Sequence, residues 1–195
     1  MPRARSFDEE LFLDAVTERF WIHGYRGSAL TDLSAATGVA NGSLYQAYGS
    51  KWALFLVVFR RYCAGRLDFV EAALAPGQDV ADTVRAYLAA VRADCAAHPD
   101  RRGCLMLNTI AEFGSDEEIA RIVAGTMTQM EQRMAEALAE AAGRDRCDED
   151  VVAAAANVVA ISQSLIQLWR IGRDERELAR MSEQVALAAS GVLAA

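Results

Sequence analysis

Residues 28–37, a short amphipathic segment, run into Gly38, and a second short segment opens at Asn41-Gly42-Ser43. Glycine takes a positive φ without steric cost, so Gly38 is where the chain turns between two helices. Leu33, Val39 and Leu44 are spaced to pack those helices on each other. Asn41, Gly42 and Ser43 place small polar groups at the front of the second helix. That is the end a recognition helix presents to a DNA major groove. The spacing predicts a helix-turn-helix. Lys51, the only lysine in the chain, follows at the start of a further helix, and the other 19 basic residues are arginine.

The pattern around this turn is broad: Gly24-Tyr25, Leu30-Thr31-Asp32-Leu33, Gly38-Val39, Gly42-Ser43-Leu44-Tyr45, Tyr48-Gly49-Ser50-Lys51 and Leu54-Phe55. Residues 7–55 resemble the DNA-binding domain of the TetR family of bacterial transcriptional repressors. Tyr48 stands where the family often has phenylalanine, and Trp52 where an acidic residue is common. The resemblance implies a dimer, a palindromic operator, and a small-molecule effector bound among helices four to eight that separates the DNA heads. It weakens beyond residue 55.

Only three prolines interrupt 195 residues rich in alanine, which favours an all-α chain with long helices. About nine helices are expected: a three-helix DNA-binding domain over residues 1–50, and a larger effector-binding and dimerisation domain over 51–195. Helix spans are predicted at 8–23, 29–37 (capped by Ser28), 41–48, 51–74 (capped by Ser50), 79–97, 102–113, 115–142 (capping box at Ser115 and Glu118), 148–171 and 175–193. Leu11, Phe12, Ala15, Val16 and Phe20 form the inner face of the first.

The net charge of −7 is unevenly spread. Residues 1–66 carry +2 and residues 67–195 carry −9, so the acidity lies away from the expected DNA face. Arg3 and Arg5 could reach phosphates. The basic start is followed by Asp8-Glu9-Glu10, unlike a signal peptide. No membrane span is expected, since no run of about 18 uncharged apolar residues is read. Cys63, Cys95, Cys104 and Cys147 lack a CxxC pair and read as free thiols of a cytoplasmic protein.

Ser28, Thr31, Asn41, Gly42, Ser43, Tyr45, Gln46, Tyr48 and Lys51 are the candidate contacts to double-stranded operator DNA. Asn41 and Gln46 suit adenine's N6/N7 edge. Gly42 lets the backbone approach a groove wall. Tyr45 and Lys51 suit phosphates, while Tyr48 suits packing under the helix.

Two stripes are expected to form the homodimer seam of helices eight and nine. The first is Val151, Ala155, Val158, Ser162, Leu165 and Trp169; the second is Leu178, Met181, Val185, Ala188 and Val192. The competing reading places these stripes in a monomer core.

The effector is unidentified. Candidates for its pocket are Phe59, Tyr62, Cys63, Phe69, Tyr87, Met106, Phe113, Met127, Met130, Met134, Gln163 and Trp169, a lining that suits a hydrophobic or planar molecule. Cys104, near a helix N-terminus beside Arg101 and Arg102, reads as a reactive thiol or as a small packed residue. The Gly-Cys-Leu-x-x-Asn run with Glu112 resembles a TetR subgroup that includes electrophile and oxidant sensors. Cys95, His98 and Cys104 fit no common zinc spacing, so no metal or cofactor is expected. His23 suits the C-terminal end of the first helix. No phosphate loop, HExxH or Gly-x-Ser-x-Gly motif is present, so an enzyme is not expected. A helical scaffold without DNA affinity is the remaining alternative.

Overall fold

The computed structural model of the chain describes residues 8–194, and Arg3 and Arg5 lie outside them. Among the described residues there are nine helices and no strand: α1 Glu9–His23, α2 Leu30–Thr37, α3 Asn41–Tyr48, α4 Lys51–Ala73, α5 Val80–Ala96, α6 Leu105–Phe113, α7 Glu117–Ala142, α8 Glu149–Arg170 and α9 Glu175–Leu193.

Local chemistry accounts for most boundaries. Asp8, Asp116, Asp148 and Asp174 each accept backbone N–H groups from the first turn of the following helix. Asp79 and Ser50 do the same for α5 and α4. These caps satisfy donors that have no partner inside the helix.

Several expectations need correction. Ser28 does not cap α2. It is fully buried, and its hydroxyl donates to the Gly24 carbonyl at 2.9 Å. Ala29 holds the cap position, and Asp32 returns its carboxylate to the Ala29 N–H at 2.8 Å. α7 is capped by Asp116, one residue beyond the Ser115 box. α6 begins at Leu105, later than residue 102, because Gly103 takes φ 74 and Cys104 is extended at φ −109 and ψ 128, both outside the helical region. The buried face of α1 is Phe12, Leu13, Val16 and Phe20, while Leu11 is 68% exposed.

α1 to α3 pack on the front of α4 through Val16, Phe20, Leu33, Leu44, Leu54 and Phe55, all buried. The Phe20 ring meets Phe55 edge-on at 5.1 Å. The rest of the core lies between the remainder of α4, α6 and the helices α5, α7, α8 and α9.

α8 overturns the expected dimer stripe, and it bears on the membrane expectation without overturning it. It is long and apolar enough to cross a membrane by length and composition, with an 18-residue window of mean hydropathy 1.7. Its apolar side is nevertheless the core side, packed on α5, α7 and α9. The expected dimer stripe is that same side: Val151, Ala155, Val158, Ser162 and Leu165 are buried within one chain. A heptad-like run records burial and not the identity of the neighbour. On α9, Leu178 is likewise buried. The large apolar groups left uncovered on or beside α8 and α9 are Val152, Ile171, Met181, Leu187 and Val192.

Candidate nucleic-acid interface

The α2–α3 turn is built as its glycine dictates. Gly38 takes φ 71 and ψ 4, and its N–H closes the helix onto the Ser34 carbonyl at 2.9 Å. Val39 and Leu44 then turn inward beside Leu33, which fixes the outward face of α3. Gly42, Tyr45 and Gln46 are exposed, with Tyr45 at 56%, and Asn41 and Ser43 are half-buried. No side chain caps α3; the Ser43 N–H is taken by the Ala40 carbonyl at 2.9 Å, which leaves the Asn41 and Gly42 N–H groups without a side-chain cap. The buried Oδ1 of Asn41 has no hydrogen-bond partner. Thr31 is exposed on the first turn of α2.

Two other candidates behave differently. Ser28 is fully buried with its hydroxyl engaged, so its side chain is removed from the set of DNA contacts. Tyr48 stacks on Phe12 with ring centres 5.6 Å apart and donates its hydroxyl to Glu9 at 3.3 Å. Its ring holds α3 to α1.

Lys51, at the head of α4, carries its Nζ 4.0 Å above the Tyr25 ring. Partial burial lowers its pKa, against an upward pull from Glu112 and Asp32. Burial raises the Tyr25 pKa, helped by Glu112. Tyr25 is the residue that sequence reasoning missed as a site component. Its ring also meets Trp52 at 5.4 Å, Phe55 at 5.2 Å and Phe113 at 5.4 Å. Trp52 is half-buried in this cluster. The Gly24-Tyr25 pair was visible, but its partners lie up to 88 positions away.

The expected effector residues do not share one pocket. Tyr62, Cys104 and Trp169 line a cavity of about 10 Å³, the space of roughly one water molecule, together with Trp21, Arg66 and Arg101. Phe59, Cys63, Tyr87, Met106, Met130 and Met134 are core side chains away from that lining. Phe113 belongs to the Tyr25 cluster, and Phe69 lies under the Arg66 guanidinium at 4.1 Å. Met127 and Gln163 are half-buried and outside the cavity. Gln163 donates to Ser162, which also receives the Tyr87 hydroxyl at 3.0 Å. Trp169 Nε1 is a buried donor with no partner.

Cys104 does occupy the cap position of α6, but it is 3% exposed. The Tyr62 hydroxyl donates to its Sγ at 3.4 Å. Arg101 lies over Trp169, and Arg102 pairs with Glu18 at 2.5 Å and Asp100 at 2.9 Å. Of the two neighbouring arginines only Arg102 turns away from the thiol; Arg101, with Arg66, lines the same cavity as Cys104. Burial pushes Cys63 and Cys95 up to about 11. Among the described residues, no cluster of three His, Cys, Asp or Glu side chains could hold a metal ion.

The family model "Tetracyclin repressor-like, C-terminal domain" matches residues 80–185. Over 191 residues the chain is 29% identical to the uncharacterized HTH-type transcriptional regulator YezE of Bacillus subtilis (strain 168), covering 95% of this chain and 96% of that one. It is 30% identical over 145 residues to the HTH-type transcriptional repressor ComR of Escherichia coli (strain K12), covering 73% and 69%. The fold matches a cysteine mutant of the TetR family transcriptional regulator CifR complexed with 26-bp double-strand operator DNA. The TM-score is 0.76 at 23% identity, over 95% of this chain and 98% of that one. With the matched C-terminal region, the helix-turn-helix of α2 and α3 and these relatives together, the chain belongs to the TetR family of transcriptional regulators.

Proposed function

We propose that this chain is a ligand-responsive repressor that binds a palindromic operator as a homodimer and is released by a small molecule. Residues 1–50 serve as the DNA-binding unit and residues 51–195 as the effector and dimerisation unit, working in the cytoplasm. The observation that carries the reading is the outward polar face of α3, with Gly42, Tyr45 and Gln46 exposed and Asn41 and Ser43 half-buried, together with the exposed Thr31 of α2 and Lys51 at the head of α4. Bases are read by Asn41, Ser43 and Gln46, and phosphates by Tyr45 and Lys51. The operator complex of CifR and the repressor name of ComR support it.

The dimer forms through the outer faces of α8 and α9, where Val152, Ile171, Met181, Leu187 and Val192 stay exposed in one chain. Two recognition helices then stand about 34–36 Å apart, one turn of DNA. The effector enters at the cavity lined by Tyr62, Cys104 and Trp169. The cavity holds about one water as it stands, so binding requires it to widen.

A gel-shift on the DNA upstream of the protein's own gene tests the reading. A salt-sensitive complex with a palindromic footprint is the expected result. A monomer that ignores every duplex at low ionic strength overturns it.

A further inference from the structure

The DNA-reading head packs on the front of α4, and α6 with the loop before it also reaches the head. Polar grips join α6 and that loop to the head at three places. Trp21 Nε1 donates to the Gly103 carbonyl at 3.0 Å, and Arg102 pairs with Glu18 at 2.5 Å. Both hold the C-terminal half of α1. The third comes from the far end of α6. The Glu112 carboxylate accepts the backbone N–H of Tyr25 at 3.2 Å on Oε2, and that of Arg26 at 3.0 Å on Oε1. The Arg26 guanidinium lies 3.7 Å from the same Oε1.

This third grip falls on the α1–α2 loop, from which the first turn of α2 sets out. The loop is shaped for it. Gly24 adopts φ 71, and a Cβ there would stand 3.2 Å from Glu112 Oε2. The gripped backbone carries the Tyr25 ring, on which Lys51 rests. The next residue of α6, Phe113, packs against Tyr25 and Trp52. The opposite end of α6 abuts the cavity, where the Leu105 N–H donates to the Tyr62 hydroxyl at 3.2 Å. Nine residues of helix, roughly 14 Å, separate the two ends.

We propose that Glu112 is a positioning residue for operator recognition: through the Tyr25 and Arg26 amides it fixes where α2 begins and where Lys51 is seated, relative to α6. The proposal rests on the DNA-binding reading above. A carboxylate beside Arg26 and Lys51 weakens general attraction for phosphate. Its contribution is to geometry, and so to discrimination between sequences and not to affinity for DNA as such. A group that served only folding would alter both kinds of binding alike.

The test uses the full chain and two labelled duplexes, the footprinted upstream fragment and a random sequence of equal length. Glu112→Gln keeps the size but loses the charge, and its amide N–H₂ meets one of the two backbone donors. Glu112→Asp keeps the charge but is one carbon short. In both variants the ratio of footprinted-to-random affinity falls about tenfold or more, the scale of one lost charge-assisted hydrogen bond. In Glu112→Gln the affinity for the random duplex stays level or rises. An unchanged ratio in the two variants, or equal weakening on both duplexes, overturns the proposal. Melting of each variant by circular dichroism shows that the folded protein is being compared. Wild type is the control: if it shows no preference for the footprinted duplex, the DNA-binding reading fails first, and this proposal with it.

Discussion

The Lys51 ammonium rests 4.0 Å above the ring of Tyr25, so the single lysine of the chain is held by the same loop that leads into α2. An aromatic face offers a cation an attraction of about 0.5–1 kcal/mol near a surface, less than a phosphate contact supplies. The ring therefore stores the lysine in place without competing strongly for it. Lys51→Ala should weaken binding to all duplexes and lower the salt slope by about one unit, read from affinities across a salt series. A loss confined to the operator would contradict a phosphate contact.

Gln46 is exposed on the outward face of α3, one turn on from Gly42. Its amide suits one base edge. Gln46→Ala should relax preference at one base pair per half-site by about 1–3 kcal/mol, with random-duplex binding unchanged. Binding selection with a degenerate operator measures this.

Met181 and Val192 lie on α9 at 37% and 48% exposure, away from the buried Leu178, Ala186 and Leu193. Replacing both by Asp should leave helicity intact and convert the dimer to monomer in sedimentation. Operator affinity should fall with it, because only one recognition helix remains attached. A variant that still sediments as a dimer would place the interface elsewhere.

Leu33 is fully buried between α1, α2 and the turn. Leu33→Ala should cost about 2–5 kcal/mol in chemical denaturation. A change below that range would mean the head relaxes around the cavity.

Burial raises the Cys63 and Cys95 thiols from 9.0 in a free chain to about 11 in the folded one. The folded state thus keeps its protons at pH values where the unfolded state has released them. This contribution is complete below pH 9 and is lost as pH rises through about 11. The melting temperature should fall over that window, and a Cys63→Ala/Cys95→Ala variant should show a shallower fall. Equal slopes in the two proteins would remove the thiols as the cause.

The helix-turn-helix was legible because its signals are local. Gly38 has to turn, and Leu33, Val39 and Leu44 lie within one another's reach along the chain. Helix ends were read less well at α2 and α6. Ser28 has cap chemistry, but the Tyr25–Ser28 turn points its hydroxyl back at Gly24. Gly103 and Cys104 leave the helical region ahead of α6, where the Gly103 carbonyl accepts from Trp21 Nε1, far back in the chain.

The sequence by itself determined an all-helical chain, the place of the turn between α2 and α3, and the polar front of α3. Backbone propensity, glycine geometry and apolar spacing act over a few residues, so one strand of text contains them. Tertiary structure alone decided which side of α8 is core, which of the aromatic and methionine side chains reach a cavity, and that Glu112 holds the loop before α2. A 3.6-residue period says that a face is covered without saying by what, and a carboxylate's partner is chosen by where distant helices bring the backbone amides.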